Sequence, residues 1–162
     1  MSKTHNYSAR LTWTGNNGTG TSTYQGYGRE YVVAIEGKPD LTGSADPIFR
    51  GKADVHNPED LFVTSISSCH MLTYLALCAK HHISVVAYED RAIGTLLLTP
   101  DGGGIFEQVV LNPIVTITDA ASQTKAVSLH DEAHRLCFIA ASCGIPISHL
   151  PVIRVEMQIE PK

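Results

Sequence analysis

The sequence contains no block of like charges, no internal repeat and no low-complexity tract. Charged residues are scarce, at 17%, and the formal net charge is −4. Proteins that bind nucleic acid or anionic membranes usually present a concentrated patch of lysine and arginine. The absence of such a patch from the sequence argues against both kinds of partner.

Hydrophobic residues, in contrast, are plentiful and make up 43% of the 162 residues. A chain of this composition can bury a core, which excludes intrinsic disorder. Because domains hold roughly 100 to 200 residues, we expect a single domain spanning residues 1–162.

A secretory leader is also lacking, because residues 1–7 do not combine a basic start with an apolar run. We therefore expect a cytoplasmic protein. In that reducing compartment, cysteines are expected to be buried, catalytic or metal-bound rather than paired in structural disulfides. This expectation applies to the four cysteines of the chain, Cys69, Cys78, Cys137 and Cys143.

Residues 61–79 carry no formal charge and approach the length of a membrane span. The serine, threonine and histidine residues among them fit a helix buried in protein better than one that faces lipid. The preceding segment 57–60, Asn-Pro-Glu-Asp, is typical of a helix start. We therefore predict a buried helix that begins there and ends at about Lys80.

The remaining pattern predicts strands and one further helix. Alternating or β-rich stretches predict strands within residues 7–13, 30–36, 83–98, 105–118 and 152–160. Residues 37–56 are interpreted as a long loop, and 83–118 as a long hairpin with Pro113 at an edge or a bulge. A second helix is expected over about 121–141. This order describes an α+β fold with an antiparallel sheet.

Two cysteines lie in the predicted helices, each near a histidine: Cys69 beside His70, and Cys137 three residues after His134. In one interpretation both are small core residues, because free cysteine is among the most buried residue types. In the other they form a redox pair, in which a thiolate of low pKa attacks and a second thiol traps the sulfenic acid as a disulfide.

Glu59 lies ten residues before Cys69 on the same predicted helix. At ~1.5 Å rise per residue, about 15 Å separates them along a straight helix. If Glu59 serves the thiol, either the helix breaks or the carboxylate comes from a second subunit whose helix packs antiparallel across a two-fold axis. An intertwined homodimer would also cover a helix that is apolar on all sides.

The residues carry a resemblance to a known family. Segment 57–70, which contains Asn-Pro-Glu-x-Leu and then Cys69, resembles the segment that leads to the reactive cysteine of the OsmC/Ohr family. Ala133-His134-x-x-Cys137 resembles that family's second-cysteine motif. A glycine motif after Trp13 and the closing strand follow the expected order, so the resemblance covers nearly the whole chain. It implies an OsmC-like intertwined homodimer, with antiparallel β-sheets wrapped around two central buried helices.

The resemblance also implies an activity, the thiol-dependent reduction of organic or lipid hydroperoxides without metal or organic cofactor. It implies that Cys69 is the peroxidatic thiolate, Cys137 the resolving thiol and Glu59 the carboxylate that positions an arginine. Arg50, nineteen residues before Cys69, is the first candidate for that arginine, and Arg29 is the second. An external dithiol, with a lipoylated protein as one candidate, would return the enzyme to its reduced form.

A non-catalytic binding or metal-binding module of the same fold is the alternative. Cys78-x-x-His81 and His134-x-x-Cys137 together supply a Cys₂His₂ ligand set. The sequence also departs from the family pattern at Phe138, where members typically carry proline. Retention of the fold without the activity therefore stays open at this point.

Overall fold

The computed structural model describes residues 3–156. Its contacts divide the chain into two compact units, Met1–Phe62 and Val63–Lys162. The first contains strands β1 (Arg10–Trp13), β2 (Tyr31–Ala34) and β3 (Leu41–Gly43), a 3-10 helix at Pro47–Phe49, and the start of helix α1 (Pro58–Lys80). After α1, the second contains β4 (Val85–Asp90), β5 (Ile93–Leu98), β6 (Gly104–Leu111), β7 (Pro113–Ile117), a 3-10 turn at Ala120–Ser122, helices α2 (Gln123–Leu136) and α3 (Phe138–Ser142), and strands β8 (Ile147–His149) and β9 (Val152–Val155).

The first unit is built on an antiparallel sheet in the order β1-β2-β3. The first two strands lie within the stretches predicted from alternation. The interpretation of residues 37–56 as one long loop is wrong, because Leu41 pairs with Val33 in β3 and a 3-10 helix follows. A three-residue strand is too short to show a period of two, and its pairing with β2 is what defines it.

The glycine motif after Trp13 fixes the loop between β1 and β2. The Trp13 indole N–H donates to the Gly28 carbonyl at 2.8 Å, and the Gly28 N–H donates to the Gly15 carbonyl at 2.7 Å. A Cβ at Gly15 would lie 2.1 Å from the Gly28 carbonyl oxygen, which no side chain can tolerate. Glycine is therefore required at position 15 for this close approach of two backbone segments.

The start of α1 confirms the sequence prediction. The Asn57 side-chain oxygen accepts the Asp60 N–H at 2.7 Å, and the Asp60 carboxylate accepts the Asn57 N–H at 3.3 Å. This reciprocal pair is a capping box, which satisfies two amide groups at the helix start. The helix ends at Lys80, as predicted, with this cation in its last turn.

By length and composition, α1 is a helix that could cross a membrane, and 28% of its most apolar window is buried in this chain. One stripe at helical spacing faces the protein interior: Ile66, His70, Tyr74, Leu77 and Cys78. Leu72, on another face, is 63% exposed. We expected α1 to be covered on every side, and the single chain covers only one stripe.

The predicted long hairpin is present but divided between two sheets. Strands β5 and β6 pair antiparallel around the glycine-rich turn, and β4 and β7 pair antiparallel beyond them. Between the two pairs the Asn112 N–H donates to the Asp90 carboxylate at 2.7 Å, and the Asn112 amide donates to the Arg91 carbonyl at 3.0 Å. These hydrogen bonds take the place of the strand-to-strand hydrogen bonds, which are interrupted at this point.

Pro113 follows this interruption as the first residue of β7. Since β7 is the central strand of its sheet, in the order β4-β7-β9, the predicted edge position is wrong. Proline is tolerated there because it stands at the start of the strand, where its missing N–H is not needed for the ladder.

Strands β8 and β9 make the sheets mixed. Strand β8 runs parallel to β6, with Val109 opposite Ile147, and β9 runs parallel to β7, with Ile114 opposite Val152. The α+β class is confirmed, whereas the expectation of a wholly antiparallel sheet is wrong, because the chain returns through α2 and α3 and such a crossover permits parallel pairing. The last predicted strand begins at Val152, and its residues after position 156 lie outside the described part.

The second predicted helix is not continuous over 121–141. Helix α2 ends at Leu136, Cys137 has extended backbone (φ −68°, ψ 114°), and α3 begins at Phe138. Before the break, α2 places Ala126, Leu129 and Ala133 in the core of the second unit. The core is completed by residues of α1 and of the strands: Tyr74, Leu77, Cys78, Ile83, Val115 and Ile117.

Candidate active site

The second unit brings Cys69 and Cys137 together. Cys69 lies on α1 and is half-buried, whereas Cys137 lies at the break between α2 and α3 and is 0% exposed. Both are free thiols, and Cys69 lies close enough to Cys137 to affect its ionisation. The two cysteines that sequence analysis proposed as a redox pair are therefore neighbours.

The surroundings of Cys137 keep its thiol protonated. Burial, with the interaction with Cys69 as the next cause, raises the pKa of Cys137 to about 11. The arrangement suits chemistry in which Cys69 reacts first and Cys137 responds to the product.

The break in the helix fixes the position of the Cys137 sulfur. Its Sγ accepts the Ala140 N–H at 3.4 Å, so the side chain acts as the N-terminal cap of α3. The Cys137 N–H in turn donates to the His134 carbonyl at 3.4 Å at the end of α2. Cys137 is tied to both helices, which a residue in the middle of one helix would not be.

Glu59 belongs to the first unit, in the first turn of α1. Within residues 3–156 its buried Oε2 atom has no hydrogen-bond partner. Burial, with Glu59 as the second cause, raises the pKa of Tyr31 in the same unit. Helix α1 is continuous through this segment, so the break that would have let Glu59 approach Cys69 on one helix is not found.

The two candidate arginines of the first unit have different environments. The Arg29 guanidinium donates to the carbonyls of Tyr27 and of Tyr24, the latter at 2.6 Å. It also lies 4.0 Å from the centre of the Tyr27 ring and 4.5 Å from that of Tyr24, as in a cation–π contact. Arg50 is exposed and has left-handed backbone (φ 66°) at the end of the 3-10 helix.

The structure does not bring together the metal ligand set proposed as the alternative. Cys78 is buried in the core, His81 is exposed just after α1, and Cys137 lies beside Cys69. Among residues 3–156, no group of three or more His, Cys, Asp or Glu side chains is arranged to hold a metal ion. The Cys₂His₂ prediction is wrong because its two pairs of ligands lie in different surroundings.

Sequence analysis missed a group of imidazoles, which we call the histidine cluster: His70, His130, His134 and His149. His70, the neighbour of Cys69 on α1, is 1% exposed and occupies a core position. The separation of His130 and His134, four residues apart on α2, was the one available signal. His149 lies in a three-residue strand that no pattern predicted.

An open groove of about 410 Å³ lies along the face of α1 that carries Ser68 and Met71. Its lining is part apolar and part polar, and includes Val63, Ser67 and Met71 of α1 and Tyr88 and Asp90 of β4. The Ser67 hydroxyl donates to the Asp90 carboxylate at 2.5 Å. Met71 lies two residues after Cys69 on α1, so the groove passes within one helical turn of Cys69 along the chain.

Comparison with known proteins identifies the type of fold. Residues 51–149 match the family described as OsmC-like protein. A comparison with curated proteins gave no match. Among solved structures, an OsmC-like protein of unknown function from Vibrio cholerae matches with a TM-score of 0.81 at 29% identity, over 92% of this chain and 100% of that one.

Two more distant structures share the fold. An organic hydroperoxide resistance protein from Elizabethkingia anophelis matches with a TM-score of 0.67 at 19% identity, over 96% of this chain and 100% of that one. An organic hydroperoxide resistance protein from Legionella pneumophila matches with a TM-score of 0.66 at 18% identity, over 95% of this chain and 100% of that one.

Proposed function

Because this chain belongs to the OsmC-like protein family, we propose that it is a thiol-dependent peroxidase that reduces organic hydroperoxides to alcohols. The observation that carries the proposal is the proximity of two free thiols, Cys69 and Cys137, in the second unit. Two free cysteines in contact can form a disulfide with little rearrangement. The names of the hydroperoxide resistance proteins that share the fold support the choice of substrate.

The proposed reaction balances with the two cysteine sulfurs as the electron donors and the O–O bond of the hydroperoxide as the electron acceptor. The Cys69 thiolate attacks one oxygen of the O–O bond, and the other oxygen leaves as alkoxide and takes up a proton to become the alcohol. Cys69 is now a sulfenic acid. The Cys137 thiol attacks this sulfur, an S–S bond forms, and the hydroxyl group leaves with the thiol proton as water. An external dithiol then reduces the disulfide in two exchange steps.

The difference between the two cysteines supports this assignment of roles. Cys137 is fully buried and its pKa is raised to about 11, so it offers little thiolate to a hydroperoxide. Cys69 is the more accessible of the two. We therefore assign first attack to Cys69 and resolution to Cys137.

An arginine and a carboxylate complete the proposed site. We assign Arg29 rather than Arg50, because the Arg29 guanidinium is held by two carbonyls and two aromatic rings while Arg50 is exposed. A guanidinium fork can stabilise a thiolate and donate to the departing alkoxide. Glu59, whose buried Oε2 lacks a partner within residues 3–156, is the proposed carboxylate that orients it.

We further propose that the protein acts as an intertwined homodimer in the cytoplasm. Helix α1 is continuous and leaves apolar residues such as Leu72 exposed in the single chain. A second copy of α1, packed antiparallel, would cover this surface and bring the Glu59 of one subunit towards the Cys69 of the other. An external dithiol, with a lipoylated protein as the candidate, is the proposed reductant.

Thiol counting after oxidation tests the proposal. One equivalent of cumene hydroperoxide is added to the wild type, Cys69→Ser and Cys137→Ser, followed by intact mass and free-thiol counts, with hydrogen peroxide in parallel. We expect the wild type to lose two thiols, Cys69→Ser to be inert, and Cys137→Ser to stop at a sulfenic acid or over-oxidise. A Cys69 that survives organic hydroperoxide unchanged would favour a non-catalytic member of the family.

A second test separates the two arginines. We expect Arg29→Lys to lower kcat/KM for cumene hydroperoxide by about 100-fold, because a lysine cannot offer the same fork of donors. Arg50→Lys is the matched variant and should leave kcat/KM nearly unchanged, since the Arg50 side chain is exposed. The opposite result would transfer the role from Arg29 to Arg50.

A further inference from the structure

The histidine cluster contains one direct hydrogen bond between two buried imidazoles. Nε2 of His70, on α1, lies 2.9 Å from Nδ1 of His130, on α2. The two rings are nearly parallel, at 11°, and the residues are 1% and 0% exposed. Two polar side chains thus occupy positions inside the second unit that a leucine could fill.

The bond joins the two helices that lead to the thiols. His70 directly follows Cys69, and His130 lies seven residues, about two turns, before Cys137. Apolar contacts between helices are non-directional and permit small sliding movements. A hydrogen bond at 2.9 Å restricts both distance and angle. Within residues 3–156 this hydrogen bond joins a side chain of α1 directly to a side chain of α2.

We propose that His70 and His130 are positioning residues for the thiol pair, because their mutual hydrogen bond fixes α1 against α2 so that Cys137 stays in contact with Cys69. The inference deepens the proposed function and rests on it for the roles of the two thiols. It assigns to the pair no contact with substrate.

The pair is built to be neutral. In a bond between two neutral imidazoles one nitrogen donates and the other accepts, so each ring must have one bare and one protonated nitrogen. Burial, with His149 and His134 as further causes, lowers the pKa of His70 to about 4. Burial, with His70 and His149 as further causes, lowers the pKa of His130 to about 3.

The groups that face the pair are consistent with a neutral state. The Tyr74 ring of α1 stacks on His130 with 3.8 Å between centres. The His149 ring of β8 lies 5.5 Å from that of His70 and 5.9 Å from that of His130, and His134 lies 5.8 Å from His149. The nearest carboxylate of the cluster, Asp131, contacts the His149 Nε2 at 3.4 Å and is itself largely exposed.

Two double variants separate the hydrogen bond from the imidazoles. In His70→Gln/His130→Asn, amide groups stand near the positions of Nε2 and Nδ1 and can remake the bond between neutral partners. In His70→Leu/His130→Leu, side chains of similar bulk remove it. His81→Leu is the matched control, because His81 is an exposed histidine just after α1. All are made with Cys78→Ser and Cys143→Ser, so that Cys69 and Cys137 are the only thiols.

The measurement is the redox equilibrium of the Cys69–Cys137 disulfide in glutathione buffers, which needs no hydroperoxide. We expect the Leu variant to favour the reduced thiols by about tenfold relative to the wild type, or about 30 mV in potential. The Gln/Asn variant and His81→Leu should match the wild type. A purely structural role would change the urea midpoint of the Leu variant but not the redox equilibrium of its folded state.

Three outcomes overturn the inference. The redox equilibrium could be the same in all variants, it could shift equally towards the reduced thiols in both double variants, or it could shift in His81→Leu. If the Leu variant does not fold, His70→Gln/His130→Leu, which keeps one amide without its partner, makes the same comparison. Failure of the proposed function would look different, because Cys69 would resist cumene hydroperoxide while the redox equilibria still distinguished the variants.

Discussion

Cys69 lies within an uninterrupted helix, whereas Cys137 lies between two helices. Along α1 the direction of the Cys69 side chain is set by the phase of the helix, and the thiol stays half-buried. At the break after α2 the Cys137 sulfur caps α3 and is fully buried. The two cysteines thus differ in burial, which raises the pKa of Cys137, and this difference supports the order of the proposed chemistry.

The largest expected contrast is in the free energy of unfolding, between a proline two residues after Cys69 and a proline directly after Cys137. Met71→Pro removes a hydrogen bond inside α1 and should lower the free energy of unfolding by about 3 kcal/mol or more. Phe138→Pro should leave it within about 1 kcal/mol of the wild type, because proline is favoured at the first position of a helix. The Cys137 backbone, at ψ 114°, already has the extended conformation that a following proline requires.

Urea unfolding of the two variants measures this contrast. Phe138 is 81% exposed, so its replacement removes little apolar contact. Equal destabilisation by both prolines would mean that the segment around Cys137 behaves as continuous helix in solution, contrary to the described break.

Acid should destabilise the fold through His70 and His130, whose hydrogen bond joins α1 and α2. The pKa of His70 is lowered to about 4 and that of His130 to about 3, from about 6.5 in an unfolded chain. Between these pH values the unfolded chain binds more protons than the folded chain. The contribution of the two histidines to the free energy of unfolding is therefore complete above pH 6.5 and declines as the pH falls. Each histidine contributes up to about 1.4 kcal/mol per pH unit to this decline.

The decline is measured as the free energy of unfolding in urea at pH 7.5, 6 and 5. In His70→Gln/His130→Asn the slope with pH should be smaller, since neither amide titrates. His81→Leu should keep the slope of the wild type. The remaining groups near the pair, His134, His149, Tyr74 and Asp131, are present in all three proteins and cancel in the comparison. A slope unchanged in the Gln/Asn variant would assign the acid sensitivity to other groups.

The smallest expected effect concerns the start of α1. Asn57→Ala removes the side-chain oxygen that accepts the Asp60 N–H and should lower stability by about 1 kcal/mol. Asn57→Asp is the conservative partner variant, and it should retain most of the stability because aspartate is an equally good cap. Thermal unfolding of both variants provides the check, and equal losses would show that the cap does not contribute.

The parts of the fold that the sequence predicted correctly are those determined by residues close together in the chain. The start of α1 was predicted because Asn57 and Pro58 act on the next few amides. The break at Cys137 was not, because no glycine or proline marks it and Leu136 and Phe138 read as ordinary helix. The parallel pairing of β8 and β9 depends on where α2 and α3 return the chain, which no short pattern records.

The candidate site likewise contains residues that local motifs predicted and residues that only the folded structure brings together. Cys69, Cys137 and Glu59 were selected from motifs that resemble those of the OsmC/Ohr family, and the structure places the two cysteines near each other while the roles of all three stay predictions. The histidine cluster required three elements to fold together, so its members could not be associated from sequence. The arginine could not be chosen either, because the clamp on Arg29 comes from the Tyr24 and Tyr27 carbonyls and rings.

Cys78 has a consequence for the fidelity of oxidation. It lies on the core-facing stripe of α1, nine residues and about half a rotation from Cys69, and burial raises its pKa. A thiol that is neither ionised nor accessible cannot attack a disulfide. The core can therefore contain a cysteine that does not compete for the disulfide proposed between Cys69 and Cys137.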